Sequence, residues 1–247
     1  MVAFSMASFV FTSTLLLVMG LRLLWVARRT RMVPELSIGL AYSLGTIGLV
    51  ALVAASEMTL GGANGYPIWI VGMATLMAAA AALIVGVWRI FQPSAGWAAA
   101  VAGAGLLLCV TAVVAQLLPG VQPTYDGMDL GSGLARAAGL FSYAWVAVES
   151  LRYSAQLRRR RAVGLADSLG VQRFLLWGIS GTLVGIVTCI AVYTQAVLHV
   201  GLARVPEAFL VSQVLLIGSS LGTWFAFFPP GFYQRWAMAG SKLEAAA

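Results

Sequence analysis

Charge is what this 247-residue sequence has least of. Only 9% of its residues are Asp, Glu, Lys or Arg, while 61% are hydrophobic and the mean hydropathy is +0.93. A soluble domain carries about 25% charged residues, so the scarcity excludes one and makes the chain an integral membrane protein. Lysine is nearly missing: Lys242 stands alone, in a terminal SKLEAAA that reads as a cloning remnant. A retinal Schiff base needs an amine inside the helices, so a retinal-linked pump or photoreceptor is excluded. Histidine is as scarce, with His199 alone, and the two cysteines, Cys109 and Cys189, fall inside separate apolar runs. One His and two separated Cys build neither a zinc site nor a bis-histidine haem site, and neither Cys reads as a disulfide partner. A serine hydrolase would have to use His199 at the membrane surface, and no GxSxG motif accompanies it. His199 reads as an ordinary interfacial residue. The expectation is therefore a protein with no catalytic site, no metal and no cofactor.

What is present in abundance is long apolar runs. Seven are long enough to cross a hydrocarbon core as helices, which takes about 20 residues. They cover approximately 3–27, 35–57, 66–91, 95–118, 132–156, 169–199 and 206–228. The net charge of +7 sits beside these runs rather than in a separate basic region. Membrane topology explains it, so the expected partner is the lipid bilayer and not nucleic acid. The strongest cluster is LRYSAQLRRRRAVGLADSLGVQR, where Arg152 and Arg158 to Arg161 follow one run and Arg173 opens the next. If the ends alternate, thirteen of the 15 basic residues lie on one side, leaving Arg136 and Arg204 on the other. Positive residues stay cytoplasmic. The fold class expected is all-α: a single seven-helix transmembrane bundle, N-terminus outside and C-terminus cytoplasmic, in the cell membrane, with the bacterial inner membrane as the expected location.

Within that frame the polar residues divide. Pro34 and Glu35 suit a helix start, and Glu207 suits the start of the seventh helix. The fourth run, built from Ala, Gly and Val, reads as a packing element, and Gly181-x-x-x-Gly185 and Gly218-x-x-x-Gly222 read as close-packing edges. Asp126 and Asp129 lie in the longest outer loop. The full calcium ligand series is absent there, so they read as turn and helix cap. Arg136 reads as snorkelling outward or pairing with Glu57, Asp126 or Asp129. Most tryptophans, among them Trp25, Trp69, Trp88, Trp97, Trp177, Trp224 and Trp236, read as an interfacial belt.

Glu149 stands out, because an ionisable residue inside a span is a functional-site hypothesis by default. Two readings stay open: a structural pair with Arg152, Arg22 or Arg89, or a ligand or proton role. Tyr143, Trp145 and Tyr193 lie deep enough to line a pocket between helices 5, 6 and 7, with Ser219 and Thr223 as polar contacts. The alternative for all five is ordinary interhelical hydrogen bonding and packing.

Two stretches, ARRTRMVPE (Ala27 to Glu35) and GLADSLGVQRFLLWG (Gly164 to Gly178), resemble an uncharacterised bacterial family of seven-helix membrane proteins. They cover about a tenth of the chain, and Ser168 stands where that family often has Pro. The ending FFPPGFYQRW is similar to the exit of seven-helix sensory regions that precede bacterial kinase or cyclase domains. The resemblance implies a seven-helix fold and no known activity.

The expected function is thus a receptor-type or sensory module that binds a small lipophilic or amphipathic molecule and passes a helix shift to a cytoplasmic or membrane protein partner. The alternative is a small proton- or cation-coupled transporter or channel using Glu149.

Overall fold

The computed structural model describes residues 2–118, 128–165 and 167–235. Among them are seven long α-helices: α1 (Val2–Thr30), α2 (Val33–Leu60), α3 (Tyr66–Phe91), α4 (Gly96–Gln116), α5 (Leu130–Ala162), α6 (Ser168–Ala196) and α7 (Pro206–Phe227). A 3-10 turn, Leu202–Arg204, precedes α7, and the described residues contain no strand. Residues 119–127 with Asp126, and the C-terminal residues with Trp236 and Lys242, lie outside the described residues.

The starts of these helices follow from local chemistry. Proline occupies the first turn of α2, α3 and α7, where a missing N–H costs nothing. Asp129 caps α5 by accepting from Ser132 N at 2.6 Å, and Asp167 caps α6 by accepting from Gly170 N at 2.8 Å. α5 runs six residues beyond the expected end at 156. Arginine is a good helix former, and Arg159 to Arg161 in its last turn complement the helix dipole. α6 stops at Ala196 rather than 199, because His199 adopts a left-handed conformation (φ 55°) in the turn that follows.

Six helices are long and apolar enough to cross a membrane, which makes the chain a multi-pass membrane protein. Its surface agrees: Leu107, Val110 and Val114 on α4 are each more than half exposed, as lipid-facing side chains are. α5 falls short of that hydropathy because it carries Arg136, Ser142, Tyr143 and Glu149 among its apolar residues.

The helices form a closed ring in the order α1, α2, α3, α5, α6, α7, with α7 returning to α1. α4 stands outside it, packed only on α3 and α5. Its small inward residues, Ala98, Ala102, Gly105, Cys109 and Ala112, repeat at helical spacing and are buried. Gly105 sits against Phe141 of α5 and Ile84 of α3.

Glycine sets the closest seams. A Cβ on Gly20 of α1 would lie 2.7 Å from Ser43 N of α2, and one on Gly48 of α2 would lie 2.8 Å from Leu76 N of α3. Without a hydrophobic drive between helices in lipid, such close backbone approach supplies the packing. Of the expected glycine edges one member of each pair is a close contact: Gly181 faces the Tyr143 carbonyl of α5 and Gly222 faces Ser180 of α6, whereas Gly185 and Gly218 have only ordinary contacts.

Gly48→Val should therefore force α2 and α3 apart. An overpacking cost of about 1–3 kcal/mol corresponds to a fall of several degrees in the melting temperature in detergent. Gly103→Val, at a helical position with nothing within 4 Å, should leave it unchanged. An equal fall at both sites would remove close approach as the cause.

Candidate functional site: a cavity inside the helical ring

The ring encloses a cavity of about 460 Å³. All six ring helices line it, and α4, fully described, contributes nothing. Each helix offers one face. On α5 the lining residues are Ser132, Ala135, Arg136, Gly139, Ser142, Tyr143 and Val146, and on α7 they include Gln213, Leu216, Ser220 and Thr223. Spacings of three and four residues put each set on one side of its helix. From Ser132 to Val146 the cavity extends about 20 Å along α5, within a hydrocarbon thickness of roughly 30 Å.

Two ends can be told apart. The arginine-rich end holds the Arg28–Arg29, Arg89 and Arg158–Arg161 termini of α1, α3 and α5. There the cavity has an aromatic floor. Trp177 donates from Nε1 to the Tyr42 hydroxyl at 3.2 Å, and Thr223 also hydrogen-bonds Tyr42. This joins α6 and α7 to α2, which α6 does not otherwise meet. Beneath it, Phe91 stacks on Trp177 at 5.9 Å, Phe227 meets Trp177 edge-on at 5.6 Å, and Tyr153 and Phe174 complete the cluster.

At the opposite end the walls are polar. Thr12 and Ser13 of α1, Ser132 and Arg136 of α5, Gln195 of α6 and Gln213 of α7 line this part. Ser8 donates to Gln213 Oε1 at 2.7 Å, tying α1 to α7. Between the ends the wall is aliphatic, with Leu16, Leu49, Met73, Met77, Val184 and Leu216. The hydroxyls of Thr12, Ser13 and Ser180 line the cavity, are buried and have no hydrogen-bond partner. Buried polar atoms of that kind call for an explanation.

Of the residues expected from the sequence, Tyr143, Ser219 and Thr223 line the cavity. Ser219 also donates to the Ser180 carbonyl at 3.0 Å. Trp145 does not line it. It lies about 200° around α5 from Tyr143 and packs on Phe141 at 5.8 Å. Tyr193 is 55% exposed and faces outward, about 140° from Thr188 on the cavity face of α6. Glu149 is 5% exposed and lies between the cavity and the arginine-rich end. Gln92 donates to it at 3.4 Å, so its hydrogen-bond partner is an amide beyond α3 and not the expected arginine.

Three sequence expectations change. Arg136 lines the cavity rather than snorkelling outward, and of the partners expected for it Asp126 lies outside the described residues. Trp69 and Trp177 are not belt residues: at 5% and 3% exposure they are core, because each indole N–H finds a buried acceptor. For Trp69 the acceptor is Gln116 Oε1 of α4, at 3.1 Å. Trp25 is exposed and covered by the Arg29 guanidinium at 3.7 Å. Asp129 caps α5 as expected. Among the described residues no three His, Cys, Asp or Glu side chains gather into a metal-binding group.

In comparisons with known proteins, no family model, no curated protein and no solved structure matches this chain.

Removing the Tyr42 hydroxyl takes the acceptor from Trp177. Tyr42→Phe should lower stability by about 1–2 kcal/mol, the cost of one unpaired buried donor. It should also shift the tryptophan emission, while Tyr193→Phe on the outer surface should do neither. Thermal denaturation followed by fluorescence reads both effects.

Proposed function

We propose that this protein is a receptor-type or sensory membrane module, without a catalytic site, that binds a small lipophilic or amphipathic molecule inside its helical ring. The observation that carries this reading is the cavity. Its volume of about 460 Å³ falls in the range of small-molecule sites, and its walls are mostly apolar with a few placed polar groups. Six helices meet at that space, so a ligand that favours one spacing of them over another biases the packing of the whole ring.

We also assign α5 as a seventh span. It lies between α3 and α6 and directs Arg136 into the cavity, while Glu149 is buried near the arginine-rich end. Its polar residues thus avoid lipid, which supports spanning despite its modest hydropathy. The uneven arginine distribution supports an N-terminus outside, a C-terminus in the cytoplasm and a place in the bacterial inner membrane. The resemblance to bacterial seven-helix proteins and to sensory regions agrees with that picture. A cytoplasmic or membrane protein partner would receive the signal at the arginine-rich end.

Glu149 lies between cavity floor and arginine-rich end, held by one long bond to Gln92. Its pairing is the proposed bistable element. The competing reading is a transporter or channel that uses Glu149 for proton or cation coupling, favoured by its being a buried carboxylate. Glu149 is, however, not among the described residues that line the cavity. That favours the receptor.

Mass spectrometry of small molecules extracted from gently purified protein should find a stoichiometric lipophilic compound. Gly139 lines the cavity and has nothing within 4 Å of its Cβ position. Gly139→Phe should fill the space, reduce the bound compound by at least about tenfold, and preserve the fold. Glu149→Gln should keep the bound compound and alter the response. A protein that purifies empty and supports Glu149-dependent flux in liposomes would replace the receptor by the transporter.

A further inference from the structure

Resting on the reading of the cavity as a ligand site, we infer that its ligand is an uncharged lipid carrying a carbonyl group. The carbonyl oxygen lies against the hydroxyls of Thr12, Ser13 and Ser180, and the apolar body faces α2 and α3.

The hydroxyls come first. Thr46, Thr182, Thr188 and Ser220 each donate to the carbonyl four residues back in their own helix. Thr12, Ser13 and Ser180 do not. All three line the cavity, are no more than 9% exposed, and have no hydrogen-bond partner among the described residues. A buried hydroxyl left unpaired is costly, so these protons call for an acceptor from outside the chain.

Depth comes second. α1 and α6 have no direct contact, but α7 sets both. Ser8 donates to Gln213, and fourteen residues on Arg22 covers the ring of Phe228, so α1 and α7 run parallel and in step. Thr12 and Ser13 are then level with Ile217 and Gly218. The next residue of α7, Ser219, donates to the Ser180 carbonyl of α6 at 3.0 Å. The three hydroxyls thus share one depth to within about a turn, on either side of α7. A carbonyl oxygen has two lone pairs, one for α1 and one for α6.

The facing wall comes third. Gly20 of α1 seats on Ser43, and antiparallel α2 brings Leu49 beside the level of Ser13 and Thr14. Gly48 seats in turn on Leu76 of α3. Leu49, Met73 and Leu76 line the cavity there. One side offers hydroxyl protons and the other only hydrocarbon. Neutral donors satisfy a neutral acceptor, whereas an anion at that depth demands a counter-charge. Arg136 already has an interaction partner of its own.

The test loads the purified full chain in dodecyl maltoside with an equal mixture of diheptyl ketone, pentadecane and palmitate. After gel filtration, mass spectrometry counts each lipid retained per protein. The ketone should exceed pentadecane about ten- to a hundredfold, the worth of two hydrogen bonds, and should exceed palmitate. Its infrared carbonyl band should move to lower frequency on binding, as hydrogen bonding to the oxygen requires. The triple variant Thr12→Val, Ser13→Ala, Ser180→Ala should keep pentadecane, lose the ketone preference and lose the infrared shift. Its lipid-free melting temperature should not fall, because no hydrogen bond within the protein is removed. Thr182→Val, whose hydroxyl is bound to the Gly178 carbonyl, should keep the preference.

Equal retention of ketone and pentadecane overturns the carbonyl assignment and leaves the lipophilic site standing. Palmitate retained above the ketone overturns the uncharged class. A preference or infrared shift that survives the triple substitution comes from water or other donors and overturns the role of the hydroxyls. A lowered melting temperature or loss of folding in that variant shows that they hold helices together, and overturns it too. If the native chain retains none of the lipids, the ligand reading itself loses its support.

Discussion

In lipid, helices gain almost nothing from hiding apolar surface on each other, because the tails are as apolar as leucine. Everything in this fold depends on that constraint. What holds neighbouring helices together is close contact and a few bonds between polar groups, and five of the six seams show one or both. Gly20 meets Ser43, Gly48 meets Leu76, Gly181 meets the Tyr143 carbonyl and Gly222 meets Ser180. Ser154 bonds the Val171 carbonyl between α5 and α6, and Ser8 bonds Gln213 between α7 and α1. A ring closed by its seams does not need a filled centre. Its stability lies in the circumference, which leaves the middle open as a cavity of about 460 Å³.

The same constraint explains where the polar side chains went. Arg136 and Glu149 are costly anywhere in hydrocarbon, and α5 turns both away from lipid. α4 has an accessory part. By covering the outer side of the α3–α5 seam it shields the helix with the least apolar sequence, and its Gln116 accepts from Trp69 and Tyr66 of α3. A helix that looks featureless in sequence is therefore the cladding that lets α5 be polar.

Much of this was legible. Long apolar runs marked each helix to within a few residues, Asp129 and Pro34 marked starts, and alanine and glycine marked α4 as a packing element. The candidate site was legible only in part, for a physical reason. Tyr143, Ser219 and Thr223 were singled out because they are polar or aromatic and deep. Trp145 and Tyr193 met the same test, yet helical phase turns them away from the centre. Depth along a span is read from hydropathy, but rotation about its axis is not when every face is apolar, since lipid and cavity accept the same residues. Arg136 alone carried a usable signal. An arginine does not face lipid freely, and the 132, 136, 139, 143, 146 series through it is the cavity face of α5.

One helix also spans the distance between the two ends of the molecule. α5 is continuous for 33 residues, about 50 Å, from its cap at Asp129 through Arg136 and Glu149 to the arginines at its tip. A rigid rod pushed at one end moves at the other, provided something between acts as a fulcrum. Gly181 and Gly178 pack α6 directly on α5 near Tyr143 and Leu151, below Arg136 and beside Glu149. A tilt of α5 about this seam moves its arginine tip and its cavity end in opposite directions, through arcs of similar size. Ring closure, cavity and basic tip are thus three consequences of one helix being long, polar inside and clad outside.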